Sequence, residues 1–340
     1  MMKKVTSFDV AKEAGVSRAT VSYVLNNVKK ENISDKTKEK VMKVVRELGY
    51  VPNAAGKALA SKRTRNIGLV CLESHMSHSF LLQIINGLTK IVRKHDLRLL
   101  IDTIPDGAGG HAILNLSQTK SIDGLVLFET REHDKELQTL IDEKFPVVII
   151  GEYSNKRVCS VDVDVPASAQ KAVEHLIELN HRKIGCITNS PLIYTAGTGR
   201  LNGYRKALEN AGIEYDESIV RYGEFTAQSG FEAMNDLLMN KGNEFTAMFV
   251  ASDTVAFGAM RAIDAAGLRI PEDIAVMGYD NVPIAKFSNP PLSTVHFSGI
   301  QMGMDAGEML IELIDDKIKP GVRKLQEIKI MKRQSTIGIL

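Results

Sequence analysis

Residues 7–27 read SFDVAKEAGVSRATVSYVLNN, two short amphipathic segments around a glycine. Phe8, Val10, Ala11 and Ala14 have the spacing of one apolar helical face. Gly15 offers the left-handed backbone that stops a helix, and the Ser17 hydroxyl is placed to cap the next one. Val21, Val24 and Leu25 then turn inward, which leaves Arg18, Ala19, Thr20, Ser22, Tyr23 and Asn26 facing out. One cation, one phenol, short polar groups and a methyl suit a DNA major groove, where some side chains reach base edges and their neighbours hold phosphates.

Charge separates this head from the rest. Residues 1–65 hold fifteen Lys/Arg and six Asp/Glu, a balance of +9, while the 275 residues that follow carry −7. The whole-chain value of +2 hides that asymmetry, which points to a polyanionic partner for the head alone. At 340 residues, 44% hydrophobic and 25% charged, the chain reads as a soluble protein of several domains. No apolar run approaches the roughly 18 residues of a membrane span. The charged start MMKKVTSFDVAKEAG lacks the apolar stretch of a signal peptide, so no membrane partner is expected and the expected compartment is the cytoplasm. Cys71, Cys159 and Cys186 are odd in number and far apart, which predicts buried, reduced thiols rather than disulfides or a zinc site.

Ser34 precedes a second strong helical run, DKTKEKVMKVVRELG (35–49), with Val41, Val44, Val45 and Leu48 as its stripe and Gly49 as its stop. Residues 1–51 therefore form a three-helix head. Residues 52–65 form a hinge: Pro52 ends helix continuation, NAAGKALAS (53–61) affords about two turns, marginal alone, and Gly56 costs it about 1 kcal/mol relative to Ala. Such a segment is expected to become helical only against a partner.

From Asn66 strands alternate with helices. The β-rich runs are IGLVCL (67–72), LRLLID (97–102), GLVLF (124–128), PVVII (146–150), KIGCIT (183–188), AMFV (247–250) and IAVMGY (274–279). Helical stretches between them include 80–95, 169–180 and 199–212. The rhythm predicts an α/β body of parallel sheets covered by helices. Crossings near Asp164–Pro166, Asn289–Pro291 and Lys319–Gly321 would divide it into two lobes around a cleft. The expected lobes are 66–164 with 291–320, and 165–290 with 321–340.

DVAKEAGVSRATVSYVLNN (9–27), RELGYVPNAAGKALASKRTRNIGLV (46–70), AVEHLIELNHRKIGCI (172–187), GRLNGYRKALENAGI (199–213), SDTVAFGAMRAIDAAGLRIPEDIAVMGYDN (252–281), PPLSTV (290–295) and RQST (333–336) follow one another in order. Together they resemble the LacI/GalR family of bacterial transcription regulators over nearly the full chain. The resemblance implies a helix-turn-helix head, a hinge helix and a two-lobed body like that of periplasmic binding proteins. It also implies a homodimer on double-stranded operator DNA, most often a repressor, whose grip is set by a small molecule between the lobes.

Carried onto this sequence, the family pattern makes Arg18, Ala19 and Tyr23 the base readers. Arg18 can fork onto guanine and Ala19 can meet a thymine methyl; Tyr23 stands where arginine is commoner. Thr20, Ser22 and Asn26 hold phosphates, with Ser17 in the same DNA-binding set, and Leu59 is the wedge that unstacks a minor-groove step, with Asn53 and Lys57 on the backbone. Ligands of open α/β sheets sit beyond the carboxyl ends of strands, which nominates His78, Phe80, Arg200, Phe225, Ser252, Asp253 and Asp280. Helix capping by Ser252 and Asp253, and core packing by Phe225, are the competing roles. A carboxylate, a guanidinium and an aromatic plate suit a sugar or sugar phosphate, and a purine is the rival. No metal or cofactor is expected.

Two other classes compete with this reading. Gly107-Ala-Gly109-Gly-His-Ala112, with Glu129 about twenty residues on, fits a dinucleotide fingerprint, which would make the chain an NAD-dependent enzyme. Pro105-Asp106 parts those glycines from their strand and the helix after them is short and polar, which argues against it. A secreted binding protein would share the two lobes but not the basic head.

Overall fold

The computed structural model describes residues 5–25, 33–51, 63–105, 112–128, 134–241 and 244–337. The chain divides into two compact units, residues 1–64 and 65–340.

In the first unit, α1 (Ser7–Ala14), α2 (Arg18–Leu25) and α3 (Asp35–Glu47) pack Val10, Ala11, Ala14, Val21, Val41 and Val44 into one small core. Val24 and Leu25 lie partly buried against it. Phe8 does not join: it is 61% exposed. At about 100° per residue, Phe8 lies roughly 110° round from the stripe of Val10, Ala11 and Ala14, too far to share their face. Thr6 and Asp9 close a capping box on α1, and Gly15 ends the helix at φ 60°, ψ 40°. Ser17 Oγ accepts the Thr20 N–H at 3.0 Å, and Ser34 caps α3 through the Thr37 N–H.

In the second unit, β1 (Asn66–Leu72), β2 (Arg98–Ile104), β3 (Gly124–Phe128), β4 (Val147–Ile150), β5 (Cys159–Asp162) and β11 (Arg323–Leu325) form a parallel sheet in the order β11-β5-β4-β3-β1-β2. Side chains alternate across it. Ile67 and Leu69 meet α4 (Ser79–Lys94) and α11 (Gly299–Ile314), while Val70 turns to α5 (Ala112–Gln118) and α6 (Lys135–Asp142). Gly87 and Gly303 let α4 and α11 touch backbone to backbone: a Cβ on Gly303 would collide with the Ile84 carbonyl, and one on Gly87 with that of Ile300.

The second parallel sheet has the order β7-β6-β8-β9, from β6 (Ile184–Ile187), β7 (Val220–Arg221), β8 (Ala247–Val250) and β9 (Ala275–Met277). Its helices are α7 (Val165–Glu178) packed on α8 (Thr195–Asn210), and α9 (Ala227–Lys241) packed on α10 (Asp253–Ala265). A short antiparallel pair, β10 (Thr294–His296) and β12 (Lys329–Met331), continues beside β9. The last helix, α12 (Gln334–Ile337), is pinned there, because Ser335 Oγ donates to the Val276 carbonyl and accepts the Ser293 N–H.

The chain crosses between lobes at other places than Asn289–Pro291 and Lys319–Gly321. Residues 291–296 stay with the second lobe through the Met277–Ser293 and Asp280–His296 bridges, and β11 pairs with β5 of the first sheet. The two later crossings therefore fall between His296 and Gly299, and after Leu325. Prolines mark where backbone pairing stops, but a sheet edge reclaims any nearby segment whose N–H groups it can pair. Cys71, Cys159 and Cys186 are buried and unpaired, and burial pushes the Cys71 thiol up to about 11.

Candidate functional site

The head presents a surface. Ser17, Arg18, Ala19 and Ser22 are exposed along α2, with Thr20 and Tyr23 half-buried beside them. The Ser17 and Thr20 hydroxyls lie 2.9 Å apart, so both already serve the helix start. Arg18 and Tyr23 stand on the outward side, one helical turn and a little more apart. Asn26, Asn53, Lys57 and Leu59 lie outside the described residues, as does Gly107–His111.

The body holds a cavity with about 620 Å3 of atom-free space, its open mouth included. It sits at the carboxyl ends of strands from both sheets. Each strand contributes the residue at or just past its end: His75 and His78 after β1, Phe128 ending β3, Glu152 after β4, Asp162 ending β5, Asn189 after β6, Phe225 after β7 and Asp280 after β9. Arg200 of α8 joins them, as do Phe80 and Phe297.

Arg200 is the hub of the second-lobe wall. Its Nη1 donates to the Ala251 carbonyl at 2.5 Å, its guanidinium lies 4.2 Å from the Tyr279 ring centroid, and Nη2 stands 3.6 Å from Asp280 Oδ1. Asp280 takes a backbone φ of 107° and Phe225 one of 61°. Non-glycine residues rarely enter that region, and where they do the surrounding structure holds them for a purpose. Histidines reach across from the first lobe. His78 Nε2 is 3.1 Å from Ser252 Oγ and 3.9 Å from Asp280 Oδ2. The His75 ring is wedged edge-on between Phe225 (4.5 Å) and Phe128 (5.1 Å).

Of the seven residues nominated for the effector, His78, Phe80, Arg200, Phe225 and Asp280 line the cavity. Ser252 and Asp253 do not. Asp253 is a fastener: Oδ1 accepts the Thr294 hydroxyl at 2.6 Å and Oδ2 the Val282 N–H at 2.9 Å. Burial first, and then the charge of Asp280, push its carboxyl well above the ordinary range. Ser252 backs His78 from behind the wall and makes no cap bond to α10. Being next to a strand end was not enough, because Asp253 is claimed by Val282 and Thr294 and Ser252 by His78. Phe225 lines the cavity but is packed by His75 and Tyr194 on its edges.

Two residues that sequence reading missed stand out. Asp162 and Asn189 are 5% and 2% exposed, and among the described residues Asp162 Oδ2 and Asn189 Oδ1 have no hydrogen-bond partner. Burial raises the Asp162 carboxyl from 3.8 to about 7, against the pull of the Val163 N–H and of Arg200. The strand-end rule, applied to CSVD and IGCI as it was to AMFV, reaches both.

Comparison with known proteins agrees with this geometry. A sequence model described as "Bacterial regulatory proteins, lacI family" matches residues 8–53, and one for a periplasmic binding protein-like domain matches 173–336. The HTH-type transcriptional regulator CelR of Thermobifida fusca is 34% identical over 332 residues, 96% of each chain. A solved CelR–cellobiose complex superposes with a TM-score of 0.74 at 33% identity, over 98% of this chain and 100% of the other. The HTH-type transcriptional repressor PurR of Edwardsiella ictaluri is 33% identical over 96% of this chain and 95% of its own. The lac repressor dimer bound to operator and the anti-inducer ONPF superposes with a TM-score of 0.87 at 29% identity, over 98% and 99% of the two chains.

Proposed function

This chain belongs to the lacI family of bacterial regulatory proteins, and we propose that it is a homodimeric operator-binding repressor whose effector is a sugar or sugar phosphate held between the lobes. It is a DNA-binding transcription regulator. One observation carries the effector reading: a cavity at converging strand ends, walled by the Arg200–Asp280 pair and aromatic rings, in a chain similar throughout to one solved with cellobiose. Asp280 accepts ring hydroxyls, Arg200 donates to ring oxygens, and Phe225 offers an apolar face.

His78 of one lobe, which meets Ser252 and Asp280 of the other, gives lobe closure a direct handle. A ligand that binds one arrangement better shifts operator affinity by that difference, typically about 5–150-fold. The charged head and the relatives' roles support a regulator acting in the cytoplasm rather than an enzyme.

The test is operator binding. A duplex selected from random sequence is titrated by fluorescence anisotropy, with and without sugars, sugar phosphates and purines. A saccharide should change the affinity, and Arg200→Ala and Asp280→Ala should abolish that response while sparing DNA binding. A response to purines alone, or a saccharide response untouched by both substitutions, overturns the reading.

A further inference from the structure

The proposal that follows rests on the sugar reading above and sharpens it. A ligand gains most by pairing with what the cavity leaves unsatisfied, and two of those groups are acceptors. Asp162 Oδ2 and Asn189 Oδ1 are both more than nine-tenths buried, both on the cavity wall, and both without a partner. A buried acceptor left unpaired is costly. A hydroxyl brings a donor to each. A phosphate dianion set against them brings acceptors only, pairs with neither and repels the Asp162 carboxylate.

Charge runs the same way. The acidic groups on the wall are Glu152, Asp162 and Asp280, and the cation is Arg200, with His75 and His78 beside them. Arg200 keeps donors for a ligand, but its charge is already balanced by Asp280, 3.6 Å away, and its Nη1 is held by the Ala251 carbonyl. Glu152, on the rim, faces Arg323 at 3.9 Å. Asp162 is left without a partner for Oδ2. The start of α8 does face the cavity through Thr195 and Ala196, but a helix end offers only about half a charge.

We propose that Asp162, with Asn189, is the selector of this site: it demands a neutral, hydroxyl-bearing saccharide and rejects the phosphorylated form. The selection acts through two acceptors that only a hydrogen-bond donor can satisfy.

The test is calorimetry on the full-length protein at pH 8. Glucose, galactose, maltose and cellobiose are titrated beside glucose 6-phosphate and galactose 6-phosphate. A binding neutral saccharide should exceed its phosphorylated counterpart by at least about 100-fold, the scale on which a site built to pair polar groups rejects a ligand that cannot. Asp162→Asn, close in shape and uncharged, should narrow that ratio by about 10-fold or more, chiefly through gained phosphate binding, with the melting transition intact. The ratio should also shrink more from pH 8 to pH 6 in the wild type than in Asp162→Asn, as Asp162 takes up a proton; the phosphate, which titrates at about pH 6, does so in both. Phosphorylated sugar bound as tightly as the neutral one overturns the proposal but leaves the sugar reading standing. So does a ratio unmoved by Asp162→Asn, with the same pH dependence in both proteins. Binding of no saccharide of either kind overturns the sugar reading and this proposal with it.

Discussion

Replacing Asp162 with Asn should make the ligand-free protein more stable at pH 8, though it alters a buried polar residue. The carboxyl is 5% exposed, and its pKa stands near 7 against an ordinary 3.8. At about 1.4 kcal/mol per tenfold change in proton affinity, holding it ionised in the folded chain costs about 4 kcal/mol. The sign follows from proton counting. Between about pH 4 and pH 7 the folded chain keeps a proton that the unfolded chain has released, so this group's contribution falls as pH rises through that window. Asparagine removes the charge and keeps an oxygen to accept the Val163 N–H, now 2.8 Å from Oδ1. It also adds an N–H pair that needs partners, worth about 1–3 kcal/mol if unmet. The net expectation is a gain of about 1–3 kcal/mol at pH 8, or roughly 2–8 °C in the melting temperature of a body this size, and no gain at pH 5. The chain has no tryptophan, so melts are followed by circular dichroism, at one protein concentration because association contributes. Burial lowers the pKa values of His175, His181 and His296, which tilts the wild-type profile the other way. The difference between variant and wild type removes that background. A difference that is flat with pH, or that falls as pH rises, refutes the argument that Asp162 is held in an unfavourable charged state.

Arg18→Ala should cost about 1–3 kcal/mol of specific affinity and relax preference at one position in each half-site, measured by anisotropy on a library of single-base variants; unchanged affinity would remove Arg18 from the base-reading face. Specific binding should also weaken steeply with salt as neutralised phosphates release counterions. Leu59→Ala should leave the melting transition in place while removing much of the operator affinity, and amide exchange over residues 53–60 should slow on operator; equal protection with and without DNA would defeat the conditional hinge. Gly303→Ala should force α4 and α11 apart, because its methyl meets the Ile84 carbonyl, at about 1–3 kcal/mol; a neutral melt would mean that the helices slide freely.

Much of the fold was legible because its determinants are local. Gly15 at φ 60° and Ser17 bonded to the Thr20 N–H are short-range devices, and each stands where the sequence puts it. The fully buried strands β3, β4, β6 and β8 announce themselves as unbroken apolar runs, since helices cover both faces of a parallel sheet. Phe8 was misplaced for an equally local reason, a stripe drawn one residue too wide. The later crossings were harder. The β11 strand, Arg-Lys-Leu, is exposed along its length and carries no apolar pattern, so its attachment to β5 is written in backbone pairing that no side chain advertises.

The cavity divides along the same line. His78, Phe225 and Asp280 could be nominated because strand ends point to them, and Arg200 from its helix; each lines the wall. Asp253 obeys the same rule and fails it. Its two oxygens are claimed by Thr294, forty-one residues on, and by the Val282 N–H, a competition that only tertiary proximity decides. Asp162 is the converse case. Nothing in Cys-Ser-Val-Asp marks its carboxylate as special, because what is special is a partner that never arrives: Oδ2 is buried on the cavity wall and unpaired among the described residues. Sequence lists the groups a chain can offer. Only the folded arrangement decides which of them is left unsatisfied, and in a binding site the unsatisfied group is the one that selects the ligand.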